Sequence, residues 1–479
     1  MDVLIVGAGP TGLTAALELS RLGVPVRIVD LAEDPSQESR ALAVQARTLE
    51  LMRVRGVGEQ MLALGNRADR AALHAGGATL ATIELHRMPS RFNFILMLAQ
   101  SETERLLTEQ LVRQGVKVER GVEVTDVRES ADAVEATLNC AGAQEVVRVR
   151  YVIAADGPHS TLRRAAGLRF PGRTLPHNYV LADLHIDGDL AEDQVSIFLG
   201  RNGFVATFPM GGGRFRMMAT DPDGLTGDRG EPATEDLRRL FERVVHIPVR
   251  LHSQNWSSRF RINSRHVRRL RAGRVFFGGD AAHVHSPAGG QGMNLGIQDM
   301  VNLSWKLAMV LDGRAKPVLL ETYSDERLPV ARRLVWITEI GTRVFNSTNP
   351  VVHALRVRMA PRALARARVQ DAAAAMFGQL SARYRGMAAG GRAGQRVPDV
   401  DGLYDQLDLA AMTLFTDDGS VLATARRWSE VVTTRGGRSA DGWMLVRPDG
   451  YLAASGADAG ALERFLRHWF VGGDAPGNR

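Results

Sequence analysis

The sequence predicts an α/β fold, and three observations lead to that prediction. Short apolar runs end at Val6, at Val29 and just before Asp156 and Asp280, as is typical of strands buried on both faces of a parallel sheet. The first run is followed at once by the glycine-rich turn "GAGPTG" and by apolar residues at helical spacing. Between residues 167 and 274, alternating stretches such as "NYVLADLHID" and "GFVATFPM" are typical of antiparallel strands.

The length and composition indicate a protein with at least two hydrophobic cores. The chain has 479 residues, of which 45% are hydrophobic. No apolar run is long enough to span a membrane, and the first residues lack the basic start of a signal peptide. The single cysteine, Cys140, excludes a disulfide framework within the chain and any metal site built from several cysteines. We therefore expect a cytoplasmic protein with no membrane partner.

The positive charge raises the question of a nucleic-acid partner. The net charge is +7 and the pI is near 10. The 60 basic residues are nevertheless spread along the chain and accompanied by 53 acidic ones. The densest basic cluster, "RHVRRLRAGR" at 265–274, leads directly into an apolar strand. The sequence therefore predicts no nucleic-acid partner.

The N-terminal turn has the residues of a Rossmann-type dinucleotide site. Gly7 permits the tight turn, Gly9 lets the backbone approach a pyrophosphate, and Gly12 lets the helix pack on the strand. The second strand ends in Asp30, where a ribose diol is normally bound. A carboxylate there would repel a 2′-phosphate, so the resident nucleotide is FAD or NAD. The predicted contact residues of this turn are Gly7, Gly9, Pro10, Thr11, Gly12 and Asp30.

A second glycine-rich segment follows the strand that ends near residue 277. Gly279 and Asp280 lie at the carboxyl end of that strand, the usual place for a ligand in an open α/β sheet. After Pro287, the glycines of "GGQGMN" open a long helix whose N-terminus faces an electron-rich group. No second GxGxxG follows a strand elsewhere, so only one dinucleotide has a domain of its own.

These segments together resemble the group A FAD-dependent aromatic hydroxylases, which are flavoprotein monooxygenases. "GDAAHVHSPAGGQGMN" is similar to the second FAD motif of that family, and "DGPHSTLRR", from Asp156 to Arg164, is similar to its aspartate-glycine motif. Ser160 and Arg163 fall at the family spacing in the latter. The three motifs occur in the family order and cover residues 1 to about 330.

The resemblance implies roles for individual residues. Asp30 is implied to bind the adenosine ribose, and Asp280 the ribityl hydroxyls, while Asp156 and Arg163 are implied to contact FAD and the nicotinamide. Amides at the start of the long helix are implied to face the flavin pyrimidine ring and to stabilise negative charge on it. The remaining implied cofactor contacts are Arg40, Gln100, Val124, Gly279, Pro287, Gly290, Gly292, Met293 and Asn294, with Pro287 close to the flavin. No catalytic side chain is assigned with certainty, because the flavin carries the chemistry.

The middle strands are implied to cover the flavin and to carry the substrate pocket. Six apolar residues in them are candidates for the pocket lining or, equally, for ordinary sheet core: Phe198, Phe204, Phe208, Met210, Phe215 and Met217. No charged residue there is assigned to bind a substrate carboxylate. His283 and His285 form an HxH pair, but no carboxylate or cysteine close in sequence completes a metal site, so we expect no metal.

The remaining chain divides into a helical stretch, a linker and a tail. Residues 318–384 have a helical pattern, and 390–401 have the composition of a linker. The tail resembles the thioredoxin-like unit of polyketide and phenol hydroxylases, but it has no CxxC, which points to a structural or dimerisation role. The expected domains are an FAD-binding domain (1–170 with 266–385), a β-sheet substrate domain (171–265) and the thioredoxin-like domain (395–479).

The resemblance implies a monooxygenase that hydroxylates a large phenolic, polyketide-type substrate. NADPH or NADH would act transiently as reductant, and oxygen would be transferred through a C4a-hydroperoxyflavin. Baeyer–Villiger oxygenation stays open, as does homodimer formation. A flavin-dependent halogenase is disfavoured because WxWxIP and an active-site lysine are missing, and a non-catalytic binder is supported only by the basic pI.

Overall fold

The structure, a computed structural model, describes residues 1–35, 41–201, 203–222, 224, 231–287, 289–437 and 442–472. No helix in this part of the chain is long and apolar enough to cross a membrane. The strands, in chain order, are β1 (Val3–Val6), β2 (Val26–Asp30), β3 (Ala43–Val44), β4 (Asn66–Ala68), β5 (Arg70–Ala75), β6 (Ala78–Glu84), β7 (Ile95–Met97), β8 (Val118–Arg120), β9 (Val122–Glu129), β10 (Val134–Cys140), β11 (Ala143–Val149), β12 (Tyr151–Ala154), β13 (Gly172–Gly188), β14 (Gln194–Gly200), β15 (Gly203–Gly211), β16 (Arg214–Asp221), β17 (Val249–His266), β18 (Arg271–Ala272), β19 (Val275–Phe277), β20 (His283–Val284), β21 (Met412–Phe415), β22 (Val432–Arg435), β23 (Trp443–Val446) and β24 (Leu452–Gly456).

The α-helices, in the same order, are α1 (Pro10–Arg21), α2 (Ala46–Arg53), α3 (Gly58–Leu64), α4 (Gln100–Arg113), α5 (Thr161–Ala165), α6 (Thr234–Glu242), α7 (Gly292–Leu311), α8 (Thr322–Phe345), α9 (Pro350–Leu364), α10 (Ala367–Phe377), α11 (Gly419–Arg426) and α12 (Ala459–Trp469).

A six-stranded sheet forms the centre of the cofactor-binding part, with strand order β18-β19-β12-β1-β2-β8. Strands β19, β12, β1, β2 and β8 run parallel, and only β18 is antiparallel. Every residue of β1, β12 and β19 is buried, as is typical of the central strands of a parallel sheet that is covered on both faces. This is the parallel sheet that the apolar runs and the glycine turn predict.

A second, eight-stranded sheet has the order β20-β17-β13-β16-β15-β14-β5-β6 and is almost entirely antiparallel. The alternating stretches between 172 and 221 form its strands β13 to β16, as predicted. The sheet also contains β5 and β6, which precede residue 171, and β14 pairs with β5 in parallel. The observed sheet is therefore larger than the range 171–265, because a hydrogen-bonded edge can recruit strands from anywhere in the chain.

The two faces of this larger sheet have different partners. One face packs against α6, in a cluster that includes Leu237 and Phe241. The other face packs against Phe345 at the end of α8, in a separate cluster that includes Tyr179. Because successive side chains of a strand point to opposite faces, each strand contributes to both clusters.

The C-terminal residues form a four-stranded sheet with the order β22-β21-β23-β24, flanked by α11 and α12. Strands β21 and β22 are parallel, while β23 is antiparallel to both of its neighbours. A turn at 447–450 joins β23 to β24 and closes with a hydrogen bond from the Gly450 N–H to the Arg447 carbonyl (2.9 Å). The likeness of this unit to thioredoxin stays a prediction.

The predicted linker at 390–401 is packed against the C-terminal sheet. Arg396, within this segment, forms an isolated bridge with Tyr451 in the turn before β24, and Ala389, just before the segment, forms one with Ala454 in β24. The Leu452 N–H also donates to the Gln395 carbonyl (2.9 Å). The segment therefore joins the C-terminal sheet to the rest of the molecule through ordered contacts.

Candidate active site

The predicted motifs converge at one edge of the parallel sheet. Strands β19, β12, β1 and β2 are consecutive neighbours, and residues of the three motifs lie at their carboxyl ends. Gly7 follows β1, Asp30 ends β2, Asp156 follows β12, and Asp280 follows β19. The carboxyl ends of parallel strands meet at the same edge, which is where open α/β sheets bind their ligands. The structure thus brings together residues that are up to about 270 positions apart in the sequence.

The first turn is closed so tightly that its glycines are required. Gly7 has φ +101°, and a Cβ there would lie 2.2 Å from the Ala155 carbonyl oxygen. A Cβ on Gly12 would lie 1.8 Å from the Gly7 carbonyl oxygen. Asp30 accepts hydrogen bonds from the backbone N–H groups of Ala8 (2.5 Å) and Ala32 (2.8 Å). Pro10 is the first residue of α1, which suits its fixed φ and its missing N–H.

The second turn packs against the first through Thr11. Gly279 has φ +57°, and a Cβ on it would lie 2.3 Å from the Thr11 Oγ1. A Cβ on Gly296 in α7 would lie 2.2 Å from the same oxygen. Asp280, within the short 3₁₀ turn 279–281, is exposed at this edge. Close backbone approach therefore explains the glycines of both motifs.

A buried acid, Asp299 in α7, holds the second turn in shape. It accepts hydrogen bonds from the Gly279 N–H (3.1 Å) and from Arg327 Nε (2.7 Å), and its Oδ2 lies 2.7 Å from His283 Nε2. Burial alone would raise the pKa of Asp299, but the adjacent charges of Arg327 and His283 lower it. His283 is thus bound to the Asp299 carboxylate. The sequence does not predict this pair, because the two residues are 16 positions apart and only the packing of α7 brings them together.

The aspartate-glycine motif is linked to the second turn. Ser160 caps α5 by accepting a hydrogen bond from the Arg163 N–H (2.9 Å). The buried Arg163 guanidinium donates to the carbonyl groups of Ala281 (2.9 Å) and Pro158 (2.8 Å) and lies over the ring of Phe170. Asp156 accepts from the Leu162 N–H (3.2 Å), which leaves its buried Oδ1 without a hydrogen-bond partner among the described residues.

The start of α7 faces the same region. Its first hydrogen bond runs from the Leu295 N–H to the Gln291 carbonyl (3.0 Å), so the amides of Gly292, Met293 and Asn294 precede the helical ladder. The Asn294 side chain accepts from the Gln45 N–H (2.8 Å) and donates to the carbonyl groups of Ala43 (2.8 Å) and Gly290 (3.0 Å). The Asn294 side chain is therefore occupied by the protein, and it is the backbone amide of Asn294 that fits the predicted contact with the flavin pyrimidine ring.

The remaining predicted contacts are less closely grouped. Gln100 starts α4, where its side chain accepts from the Ala41 N–H (3.2 Å) and donates to Glu104 (2.8 Å). Val124 is buried in β9. The Pro287 carbonyl accepts from the Gly290 N–H (2.9 Å) and shapes the loop before α7. Arg40 lies outside the described residues.

His285 is separate from His283 in its contacts. Its Nδ1 lies 2.7 Å from the Ser286 carbonyl oxygen, so Nδ1 carries the proton and donates. Burial lowers the pKa of His285 to about 4, and the ring is therefore neutral near pH 7. No group of three or more His, Cys, Asp or Glu side chains suited to a metal occurs in the part of the chain that the structure covers.

The edge fits a bound FAD on its own geometry. Space around Gly9 is open, since a Cβ there would meet no protein atom within 4 Å. Two helix N-termini, those of α1 and α7, converge on the region and favour negatively charged groups. The unpartnered Asp156 Oδ1 adds a buried acceptor. These are the features that a pyrophosphate, a ribose and a flavin pyrimidine ring require.

The six predicted pocket residues do not lie together. Phe198, Phe215 and Met217 belong to the cluster under α6, on one face of the larger sheet. Phe204 belongs to the cluster on the opposite face, where Phe208 also packs. Met210 alternates with Phe208 on the same face and packs against the main core. A single pocket lined by all six is therefore excluded, because two faces of one sheet cannot line one cavity.

Arg216 is a candidate site residue that no sequence motif indicates. It is 2% exposed, pairs with Asp183 (2.6 Å) on the neighbouring strand and donates to the Ala41 carbonyl (3.2 Å) beside β3. Its guanidinium lies 5.6 Å from the centre of the Trp256 ring. One feature of the sequence does point to Arg216: it is the charged residue in the mostly apolar run "FRMMAT". A charge that is buried in such a strand needs a partner.

A cleft of about 330 Å³ opens beside α7. It lies on a different side of this helix from Gly296, the residue that packs against Thr11 of the first turn. It is lined by α7, by α8 and by the segment after α10, and none of the six predicted pocket residues lines it. Three amide side chains are among its lining residues: Gln291, Gln298 and Gln379.

The class of protein follows from these features and from a family match. Residues 1–338 match the family that is described as "FAD binding domain". The chain therefore belongs to this family of FAD-dependent aromatic hydroxylases. The predictions of an α/β fold, of resident FAD and of a monooxygenase that uses NAD(P)H are thereby confirmed.

Individual relatives are similar over nearly the whole chain. The 6-methylpretetramide 4-monooxygenase of Streptomyces rimosus is 37% identical, over 96% of this chain and 91% of the relative. The rifampicin monooxygenase of Streptomyces venezuelae is 32% identical, over 98% of both chains. Among solved structures, the OxyS anhydrotetracycline hydroxylase from Streptomyces rimosus has a TM-score of 0.82 and 30% identity, and the match covers 98% of this chain and 99% of that one.

Proposed function

We propose that this enzyme hydroxylates a polycyclic phenolic substrate of the polyketide type. The observation that carries the proposal is the position of the larger sheet, whose buried Arg216 reaches the Ala41 carbonyl next to the cofactor-binding edge. Relatives named for their action on 6-methylpretetramide, anhydrotetracycline and rifampicin support the substrate class. Such a substrate is flat and largely apolar, with a few hydroxyl groups that need polar partners.

In this proposal the substrate lies against the face of the sheet that carries Arg216, Phe208 and Met210. Residues Phe198, Phe215 and Met217 stabilise the opposite face against α6 and make no substrate contact. The pair of Arg216 and Asp183 supplies a polar group within this apolar face, where Trp256 offers an aromatic surface. A phenolic hydroxyl or a phenolate directed at Arg216 would be oriented by that charge.

The cofactor contacts in the proposal follow the geometry of the sheet edge. Asp30 binds the adenosine ribose, the amides at the start of α1 bind the pyrophosphate, and Asp280 binds the ribityl chain. The amides of Gly292, Met293 and Asn294 face the flavin pyrimidine ring and stabilise negative charge on it. FAD, when bound, supplies electron transfer from NAD(P)H and the activation of O2. The chain itself positions the substrate and excludes water.

We further propose three structural units, in the cytoplasm, where NAD(P)H is available. The FAD-binding unit comprises 1–170 without β5 and β6, together with 266–385, and the substrate sheet adds β5 and β6 to 171–265. The C-terminal unit begins near 395. Formation of a homodimer stays a prediction, which the molar mass in solution tests.

The direct test of the proposed function is NADPH oxidation under oxygen across a panel of polycyclic phenols. We expect oxidation to accelerate with a matching phenol and the product to carry one added oxygen atom, which mass spectrometry detects. An added oxygen within a ring that has expanded would indicate Baeyer–Villiger oxygenation instead. Faster NADPH oxidation that yields only hydrogen peroxide, for every phenol in the panel, would contradict the proposed substrate class.

Replacing Asp280 with Ala should weaken FAD binding by about 1–3 kcal/mol, because a hydrogen bond to a cofactor hydroxyl is lost. Fluorescence titration of the apoprotein with FAD measures the change. The control is Asp132→Ala, since Asp132 is an exposed acid that pairs with Arg148 (2.9 Å) in a surface loop. Equal FAD affinity in the two variants would remove Asp280 from the cofactor site.

A further inference from the structure

The end of helix α10 has an unusual residue at its terminating position. Gln379 has φ +54°, the left-handed conformation that favours glycine. Its N–H donates to the Met376 carbonyl (3.1 Å), and the Leu380 N–H donates to the Ala375 carbonyl (3.0 Å). These two bonds end a helix at a left-handed residue, where glycine is usual. The chain has a glycine one position earlier, Gly378, but that residue is right-handed.

The side chain of Gln379 joins α10 to the start of α7. Its Nε2 donates to the carbonyl oxygen (3.1 Å) and to Oε1 (3.2 Å) of Gln291, the residue before α7. Its Oε1 accepts from Gln298 Nε2 (2.5 Å), two turns along α7. Gln291 and Gln298 are 5% and 4% exposed, so these bonds are largely shielded from water. One side chain thus binds α7 at two points.

The same turn also contacts the start of α2. The Gly378 carbonyl accepts a hydrogen bond from the N–H of Arg47, the second residue of α2 (3.0 Å). Gln45, which precedes α2, donates from its side chain to the Gly289 carbonyl (2.8 Å) in the loop before α7. The end of α10 is therefore held both to the start of α7, which follows the glycine loop 289–292, and to the start of α2, whose preceding residue Gln45 bonds to that loop.

We propose that Gln379 is a positioning residue for the flavin, which holds the first turn of α7 at the place where its amides contact the pyrimidine ring. A non-glycine residue in a left-handed conformation is strained and persists where its surroundings hold it. Here the side chain compensates for the strain through its hydrogen bonds, in which its Nε2 donates to Gln291 and its Oε1 accepts from Gln298. Only a long amide side chain can make both contacts. This inference rests on the proposed function, in which the amides of Gly292–Asn294 face the flavin.

Two substitutions separate backbone strain from the side-chain contacts. Gln379→Gly removes the amide and relaxes the left-handed backbone, whereas Gln379→Ala removes the amide and keeps a Cβ. Gln298→Ala removes one partner and leaves Gln379 in place. The matched control is Ala141→Gly, because Ala141 is an exposed non-glycine residue with φ +49° in the β10–β11 hairpin.

The readouts are the FAD dissociation constant, the absorption spectrum of the bound oxidised flavin and the reduction potential of the bound flavin, all without substrate. We expect Gln379→Gly and Gln379→Ala to raise the dissociation constant about tenfold, since up to three hydrogen bonds to α7 are lost. Both should lower the reduction potential, because amides that stabilise the reduced, negatively charged ring move away. Gln298→Ala should shift both quantities in the same direction by less.

The thermal midpoint of the apoproteins distinguishes a structural role from a positioning role. Gln379→Gly should melt at a higher temperature than Gln379→Ala and should still bind FAD as weakly. If Gln379→Gly keeps the wild-type dissociation constant, spectrum and potential, Gln379 only ends a helix and the inference is wrong. If the Gln379 variants fail to fold, the reduction potential of the flavin bound to Gln298→Ala decides instead: an unchanged potential would mean that the inference is wrong. Wild-type protein that binds FAD and hydroxylates no phenol would contradict the proposed function alone.

Discussion

Replacing Arg447 with Met should lower the free energy of unfolding by about 3–5 kcal/mol, because it leaves a buried carboxylate short of a partner. Arg447 donates to both oxygens of Glu326 (2.7 and 2.8 Å), a residue of α8 that is 1% exposed. It also pairs with Asp449 (2.6 Å), in the turn that joins β23 to β24. The methionine keeps much of the side-chain volume, so the lost charge dominates the effect.

Lys306 is a fourth member of this cluster, after Arg447, Glu326 and Asp449, and does not replace Arg447. It donates to Glu326 Oε2 (2.7 Å) and to Asn302 (2.9 Å), and it is completely buried. One lysine cannot satisfy both Glu326 and Asp449 once the guanidinium has gone. Chemical denaturation followed by circular dichroism measures the loss of stability.

Arg464→Met is the matched control for this measurement. Arg464 lies in α12, in the same C-terminal unit, with a side chain that is 74% exposed and 3.7 Å from Asp458. Exposed ion pairs contribute little, so its replacement should change the free energy of unfolding by less than about 1 kcal/mol. If Arg447→Met and Arg464→Met lose the same free energy of unfolding, the buried cluster of Arg447, Glu326 and Asp449 is not the main link between the C-terminal unit and α8.

The same cluster predicts how the difference between wild type and Arg447→Met depends on pH. Burial alone would raise the pKa of Glu326, but the charges of Arg447 and Lys306 lower it to about 2, from an ordinary value of 4.5. A lowered pKa means that the carboxylate stabilises the folded state above pH 4.5 and that this stabilisation is lost as the pH falls toward 2. The advantage of the wild type should therefore shrink between pH 4.5 and 2.

Replacing Gly9 with Ala should weaken FAD binding by about 5- to 100-fold while the apoprotein stays as stable as the wild type. A Cβ on Gly9 would meet no protein atom within 4 Å, and its φ of −74° and ψ of −178° suit alanine. The added methyl group therefore occupies space that the cofactor pyrophosphate needs. Titration of the apoprotein with FAD, together with thermal melting without FAD, separates the two effects.

Gly419→Ala is the control for this substitution, since Gly419 also has open space around it and starts α11 in the C-terminal unit. It should leave FAD affinity unchanged. Gly12→Ala provides the opposite case, because its Cβ would lie 1.8 Å from the Gly7 carbonyl oxygen and should destabilise the apoprotein itself. Wild-type FAD affinity in Gly9→Ala would mean that the pyrophosphate does not pass over Gly9.

Residues close together in the sequence specify the local elements of the cofactor site. The turn at Gly7 and Gly12, the start of α1 at Pro10 and the end of β2 at Asp30 all agree with expectation. Each depends on residues close in sequence, where conformational preference and short contacts decide the structure. The strands before Asp156 and Asp280 were predictable for the same reason, and the family resemblance supplied the roles of their acids.

Contacts between side chains that are far apart in the sequence depend on how the helices and strands pack, and no local pattern predicts them. Alternation along β14 to β16 predicted strands, but the position of α6 determined that Phe198, Phe215 and Met217 are core residues. The turn at 447–450 was predictable from proline, aspartate and glycine, whereas the pairing of Arg447 with Glu326 was not. Partners of a buried charge are selected by packing between elements, and no local preference of the chain encodes them.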